Sequence, residues 1–141
     1  MYVLGTDHMS DLEWGSGGRG QTLILRLNKL RADEAATTIV TFEEQTRGWL
    51  SVLSRSRLLS DQVDAYRRLK QLLTNYLRIQ VLDFDARAAS EFQRLRSLHL
   101  RIGTMDLKIA AIALTQSAIV LTRSLKDFSL VPGLRAEDRT T

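Results

Sequence analysis

The stretch from Ile102 to Leu134, IGTMDLKIAAIALTQSAIVLTRSLKDFSLVPGL, constrains the fold more than any other part of the chain. Asp106 to Gln116 reads as a helix that is small and apolar on most faces, so it has to be buried. A short β-branched strand, Ala118 to Thr122, follows almost at once. Asp106 opens the helix and Asp127 lies just past the strand. In an open α/β sheet both positions fall on the rim where such folds bind their ligands. Two acids converging there, in a basic chain, suggest a metal ion that meets a phosphodiester.

The rest of the chain supplies the sheet. Met1 to Leu4 is a short apolar strand, followed by a helix through Trp14 for which Thr6 or Asp7 is the cap. Gly15 to Gly20, GSGGRG, reads as a flexible loop, and Gln21 to Leu30 as a helix. Thr37 to Thr41 is β-branched and reads as the second strand. Helices are expected over Phe42–Leu53 and Leu58–Tyr76, the latter with Val63, Tyr66, Leu69, Leu72, Leu73 and Tyr76 on one face. Ile79 to Leu82 is the third strand. Ala86 to Leu98 is a helix with Ala88, Ala89, Phe92 and Leu95 inward. A short fifth strand is expected over Leu134–Ala136, after the turn at Pro132, with a polar tail behind it. Strands alternating with helices imply a parallel sheet with right-handed crossovers.

With 141 residues the chain suits one domain, 1–141, with enough core to need no staple. No cysteine is present, which removes thiol catalysis, zinc–thiolate sites and disulfides together. The N-terminus carries no basic leader and no apolar run could span a bilayer, so a soluble, cytoplasmic chain without a membrane partner is expected. Lys and Arg total 20 against 16 Asp and Glu, a net charge of +4, with an isoelectric point near 9.8. That balance favours anionic partners such as nucleic acid or an acidic protein segment.

By position, Asp7 follows the first strand, Glu43 and Glu44 the second, and Asp127 the fourth, while Asp106 opens the buried helix. A doubly wound sheet brings all of these to one edge. Two carboxylates 4 Å apart repel by about 4 kcal/mol at an effective dielectric of 20, so a proton, a basic side chain or a cation must offset them. Oxygen-only ligation suits Mg²⁺ or Mn²⁺. Taken alone, Asp106 is equally a first-turn helix acid, Asp127 a turn acid and Glu44 a solvated helix acid.

IGTMDLKIAAIAL, IVLTRSLKDFSLVPGL, VTFEEQTRG and YVLGTDHMSDL together resemble the four acidic motifs of PIN domains of the VapC type. Those are the ribonuclease halves of bacterial toxin–antitoxin pairs, and the likeness covers nearly the whole chain. It implies a three-layer α/β/α fold around a parallel sheet of four to five strands. It implies an endoribonuclease that cleaves RNA with a water activated by Mg²⁺ or Mn²⁺. Asp106 would be a main metal ligand, with Glu44 rather than Glu43, and Asp127, completing the acidic pocket. Thr122 would orient a water or a carboxylate, and Ser124 and Thr6 would assist. The resemblance further implies a homodimer and a cognate antitoxin whose tail blocks the cleft by placing an arginine among the acids.

The chain departs from the family at one position. Where the first motif carries its metal-binding aspartate, directly after the strand, Gly5 stands. Gly5 marks either a natural degenerate member or an inactivated copy, and the second is favoured because an active toxin expressed without its antitoxin selects against its host. Asp7, two residues on, should point elsewhere and act as a cap rather than a ligand. Cleavage by this chain is therefore expected to be impaired. The alternative is a non-catalytic module of the same fold that binds antitoxin or RNA without turnover.

Arg123 and Lys126 stand nearest the proposed cleft and are the candidates for RNA backbone contact. GSGGRG lacks the lysine–hydroxyl pair of a phosphate loop, which disfavours nucleotide binding. His8 should pack or hydrogen-bond near the sheet edge, and His99 lies near a helix C-terminus. Trp14 and Trp49 could serve the core, a dimer contact or an antitoxin groove.

Overall fold

A computed structural model describes residues 1–14 and 18–141, with the side chain of Trp14 left aside. Five strands form one sheet: β1 (Tyr2–Leu4), β2 (Ala35–Thr38), β3 (Gln80–Leu82), β4 (Ile119–Leu121) and β5 (Arg135–Glu137). Every pairing is parallel and the order is β3-β2-β1-β4-β5. The chain builds outward from β1 through β2 to β3, then returns to lay β4 on β1's other side. The topological switch point, where parallel sheets open a crevice, lies between β1 and β4.

Side chains on each strand alternate between two cores, as the two-residue period of a strand requires. Val3, Ala36, Leu82 and Val120 face α5 (Ala86–Arg96) and α6 (Thr104–Thr115). Leu4 and Leu121 face the other way, with Met9, Leu72 and Tyr76, toward α1 (Thr6–Trp14), α3 (Ile39–Arg55) and α4 (Leu59–Leu77). A three-layer α/β/α arrangement results. On α6, Leu107 and the run Ile109–Ala113 are all buried, so the helix is sandwiched as its composition demands. Its small residues let it lie close, and each buried isoleucine contributes about 1.5–3 kcal/mol.

The second strand ends earlier than its β-branched run suggested. Thr38 is the N-cap of α3, its hydroxyl accepting the Thr41 N–H at 3.0 Å, so Ile39, Val40 and Thr41 enter the helix instead. The cap decides this boundary because a satisfied N-terminal donor outweighs the modest strand preference of Val and Ile. Gly18–Gly20, expected in a loop, open α2 (Gly18–Leu27), and the remainder of that expected loop lies outside the described residues. A four-residue helix that periodicity did not reveal, α7 (Leu125–Phe128), follows β4. Val63, Tyr66 and Leu73 of α4 remain exposed, as does Ala89 of α5. Gly133 adopts a φ of +80°, a conformation natural to glycine, in the turn that Pro132 begins. Among the described residues no helix is long and apolar enough to cross a membrane.

Candidate active site

Strand ends and helix N-termini meet at the switch-point crevice. Gly5 leaves β1, and its N–H donates to the Leu121 carbonyl of β4 at 2.9 Å. Thr37, buried at the end of β2, donates its hydroxyl to the Leu4 carbonyl at 2.8 Å and ties the two strand ends together. α3 then carries Glu44 toward the crevice, where Thr6, in the first turn of α1, donates to its Oε1 at 2.7 Å. α6 presents Asp106 in its first turn, and α7 presents the exposed Asp127 in its own.

The electrostatics of Asp106 register the convergence. Burial pushes its carboxyl up, and the charges of Glu44, Asp127 and Asp7 push it further, to about 6 from an ordinary 3.8. A first-turn acid of a helix is normally favoured in its charged form by the helix dipole. Here repulsion and desolvation win. The three neighbouring acids come from α3, α7 and α1, so only the tertiary fold brings them together. The expected members Glu44, Asp106 and Asp127 therefore share one locality.

Asp7 is not the cap it was expected to be. Its Oδ2 accepts the Arg123 N–H at 2.9 Å and the Thr122 hydroxyl at 3.2 Å, and its Oδ1 lies 2.7 Å from His8 Nδ1. The reason is geometric: the carboxylate reaches across to the end of β4, where buried donors need an acceptor, rather than back to its own helix terminus. Burial raises its pKa, but the bonds to His8 and Arg123 outweigh that and hold it below the usual value. Thr122 is buried, and its oxygen accepts the Ser124 N–H at 2.9 Å, so it shapes the turn before α7. Ser124 is itself exposed.

Of the two basic candidates, Arg123 turns back to pair with Asp11 of α1. Lys126 is exposed on α7, and no acid among the described residues pairs with it. Two further acids carry no sequence signal for their roles. Asp11 has no signal for its partner, 112 residues away. Glu13 is partly buried, which raises its pKa against the opposing charge of Arg68. It lines a groove of about 340 Å³ with Thr6, Ser10, Glu44 and Trp49, which leads away from the crevice between α1 and α3.

The donor set is oxygen-only, the chemistry that hard divalent ions take. It falls short in number. Among the described residues, no three carboxylate or imidazole groups are gathered closely enough to hold a metal ion together. Gly5 stands at the end of β1, beside this crevice. A Cβ there would meet the Leu121 carbonyl oxygen at 3.2 Å and Thr122 Cβ at 3.8 Å, and the residue's φ is not in the left-handed region. Backbone conformation does not demand glycine, but space is tight: the Leu121 carbonyl, which accepts the Gly5 N–H at 2.9 Å, must yield by a few tenths of an ångström to admit a side chain.

A PIN domain family model matches residues 19–133. The chain belongs to the PIN domain family. The matched span begins beyond β1 and α1, so it includes Asp106, Asp127 and Glu44 but not Gly5. Among solved structures, the PIN chain is similar to one from the DNA-bound VapBC of Salmonella typhimurium. Identity is 23%, coverage is 97% of this chain and 96% of that one, and the TM-score is 0.79. It is similar to a chain of VapBC2 from Rickettsia felis bound to a promoter DNA fragment, at 24% identity, 97% coverage of each chain and a TM-score of 0.73. VapBC-1 from nontypeable Haemophilus influenzae gives 23% identity, 99% and 98% coverage, and a TM-score of 0.73. At these identities the likeness is one of fold. No curated protein matches the sequence.

Proposed function

We propose that this PIN domain is the scaffold of a metal-dependent endoribonuclease toxin from a toxin–antitoxin pair, impaired in this chain by Gly5. One observation carries the reading. Burial, with the charges of Glu44, Asp127 and Asp7 adding to it, raises the Asp106 carboxyl to about 6, so acids from four elements meet at the switch point. Repulsion at Asp106 costs the fold stability, and perturbed carboxylates in a crevice mark sites of chemistry.

With a carboxylate restored at position 5, Asp106, Glu44 and Asp127 would complete a site for Mg²⁺ or Mn²⁺. The ion, when bound, would supply charge neutralisation at the phosphate and acidity to a water. Thr6 fixes the orientation of Glu44 through its 2.7 Å hydrogen bond. Thr122, spent on Asp7 and Ser124, orients the turn that carries Asp127 rather than a water. Lys126, exposed beside Asp127, would meet an RNA phosphate. Arg123 would have to leave Asp11 to do the same.

The partners follow from the same reading. The similar solved structures are VapBC assemblies, which supports a cognate antitoxin, and an antitoxin arginine would neutralise the acid cluster. Leu58, Leu59, Val63 and Tyr66 are exposed around the start of α4, which supports a homodimer or another protein contact there.

The rival reading, a PIN-fold binding module without turnover, is favoured by Gly5 and by the shortage of gathered ligands. Gly5→Asp separates the two. Mg²⁺-dependent RNA cleavage and growth arrest on expression are expected from the variant and not from the unmodified chain. A folded variant that neither cleaves nor arrests growth would leave the binding module as the better account.

A further inference from the structure

His8 is completely buried, and both of its ring nitrogens are engaged. The backbone N–H of Arg139 points at Nε2, 3.1 Å away. A backbone amide can only donate, so Nε2 is the acceptor and the neutral ring carries its hydrogen on Nδ1. That hydrogen faces Asp7 Oδ1 at 2.7 Å. The other Asp7 oxygen takes the Arg123 N–H and the Thr122 hydroxyl. Thr122 in turn accepts the Ser124 N–H, at the residue that precedes α7. An unbroken line of hydrogen bonds thus runs from residue 139 to the helix that presents Asp127.

The far end of the line is fixed. Beyond β5 the expected polar tail folds back onto the body. Thr140 is buried, and its N–H donates to Asp138 at 2.8 Å. The Arg139 guanidinium lies 4.6 Å over the Tyr2 ring and bonds Glu137 at 2.9 Å. The tail's backbone is therefore held where it can set the imidazole, much as a second hydrogen bond sets the ring of a ligating histidine.

We propose that the C-terminal segment 138–140 is a positioning element of the candidate active site, acting through His8 and Asp7 on the Thr122–Ser124 turn. The inference rests on the site being the functional one, but the relay itself is testable without turnover. His8 and Arg139 touch no reacting atom in this scheme. They are positioning residues.

Amide hydrogen exchange on the full-length chain, resolved by NMR, reads each link. Arg139→Pro removes the donor N–H, while Arg139→Ala removes only the guanidinium. Exchange at the Arg123 amide should be about tenfold faster in Arg139→Pro than in Arg139→Ala, the scale of one weakened hydrogen bond. In a His8→Asn background, which keeps a donor toward Asp7 but lacks the distant acceptor, that difference should vanish. Equal Arg123 exchange in the two Arg139 variants overturns the relay. So does a difference that survives His8→Asn, because the tail would then act by another route, such as the bond from Thr122 N–H to the Glu137 carbonyl. Should Arg139→Pro fail to fold, His8→Gln tests the other link. It retains an acceptor for residue 139 and loses the donor to Asp7, so Arg123 should exchange faster while Arg139 does not, and the reverse pattern refutes the proposal. A Gly5→Asp chain that fails to cleave RNA with this coupling intact sinks the nuclease reading alone. Cleavage without the coupling sinks the relay alone.

Discussion

Replacing Asp106 by asparagine should stabilise the PIN domain at neutral pH. The carboxyl is raised from 3.8 to about 6 by burial and by Glu44, Asp127 and Asp7. That elevation corresponds to about 3 kcal/mol of differential interaction between the charged and neutral forms. The group is only partly buried, so solvent screening reduces the usable figure to about 1–2 kcal/mol. A carboxyl whose folded-state pKa lies above its unfolded value opposes folding wherever the unfolded chain is ionised. The penalty is absent below pH 3.8, grows through the window up to about pH 6, and is complete above it. Asparagine has the shape of the neutral acid and carries no such penalty. Urea unfolding across this range should show the variant matching the parent at the acid end and exceeding it by about 1–2 kcal/mol above the window. In a thermal melt that is a rise of about 3 °C for each kcal/mol. An asparagine variant less stable than the parent at neutral pH would refute the reasoning, because it would mean that the carboxylate is paired rather than repelled. A gain independent of pH would refute it as well.

Gly5→Asp adds a fifth carboxylate to the crevice and should lower stability by about 1–2 kcal/mol without divalent ions. Millimolar Mg²⁺ should reverse that loss in a thermal melt, while a melting point indifferent to Mg²⁺ would count against any metal role. Thr6→Val removes the donor to Glu44 and should cost about 1 kcal/mol in urea unfolding. The same change should weaken Mn²⁺ binding by Gly5→Asp, followed by paramagnetic broadening near residue 106, and unaltered broadening would remove Thr6 from the site. Asp7→Ala strips acceptors from His8, Thr122 and the Arg123 amide and should cost about 2–4 kcal/mol. The Asp7 carboxyl is held below its usual value, so its contribution is present above pH 3.8 and fades as the pH falls through the lower folded-state value. The deficit of the alanine variant should therefore shrink in acid, and a constant deficit would point to packing instead.

Much of the architecture was legible because one segment left few choices. A helix as uniformly small and apolar as α6 has to lie between layers, and the strand that follows it fixes a parallel sheet. Asp106 and Asp127 came with that segment. The boundary of β2 was misread because Thr38 can end a strand or cap a helix, and only the bond to the Thr41 N–H tells which. α7 has four residues, too few for any period to show. What stayed illegible depends on contacts between distant parts of the chain. The pairing of Arg123 with Asp11 spans 112 residues and leaves no local trace. Asp7 sits at a position where a cap is the natural reading, and its acceptor role exists only because β4 ends beside it. The tail after β5 looked merely polar, and its backbone contact with His8 could not be seen from composition.

The neighbourhood of Gly5 bears on whether the proposed chemistry was lost or never built. A scaffold released from chemistry has no reason to keep a carboxyl that weakens it, since replacing Asp106 with an amide removes the repulsion at little cost in shape. Instead Glu44 is fixed by Thr6, Asp7 is saturated with donors, and the turn before Asp127 is bonded at both ends. These are arrangements that hold side chains in place, and they surround a position where a carboxylate would fit after a small shift of the Leu121 carbonyl. The hydrogen bonds that hold these side chains are thus in place around Gly5, as the proposed site requires. Restoring aspartate at position 5 should therefore need no compensating change elsewhere. If Gly5→Asp folds but acquires metal affinity only with further substitutions at the crevice, the surrounding structure has drifted as well, and the binding module becomes the better description of this chain.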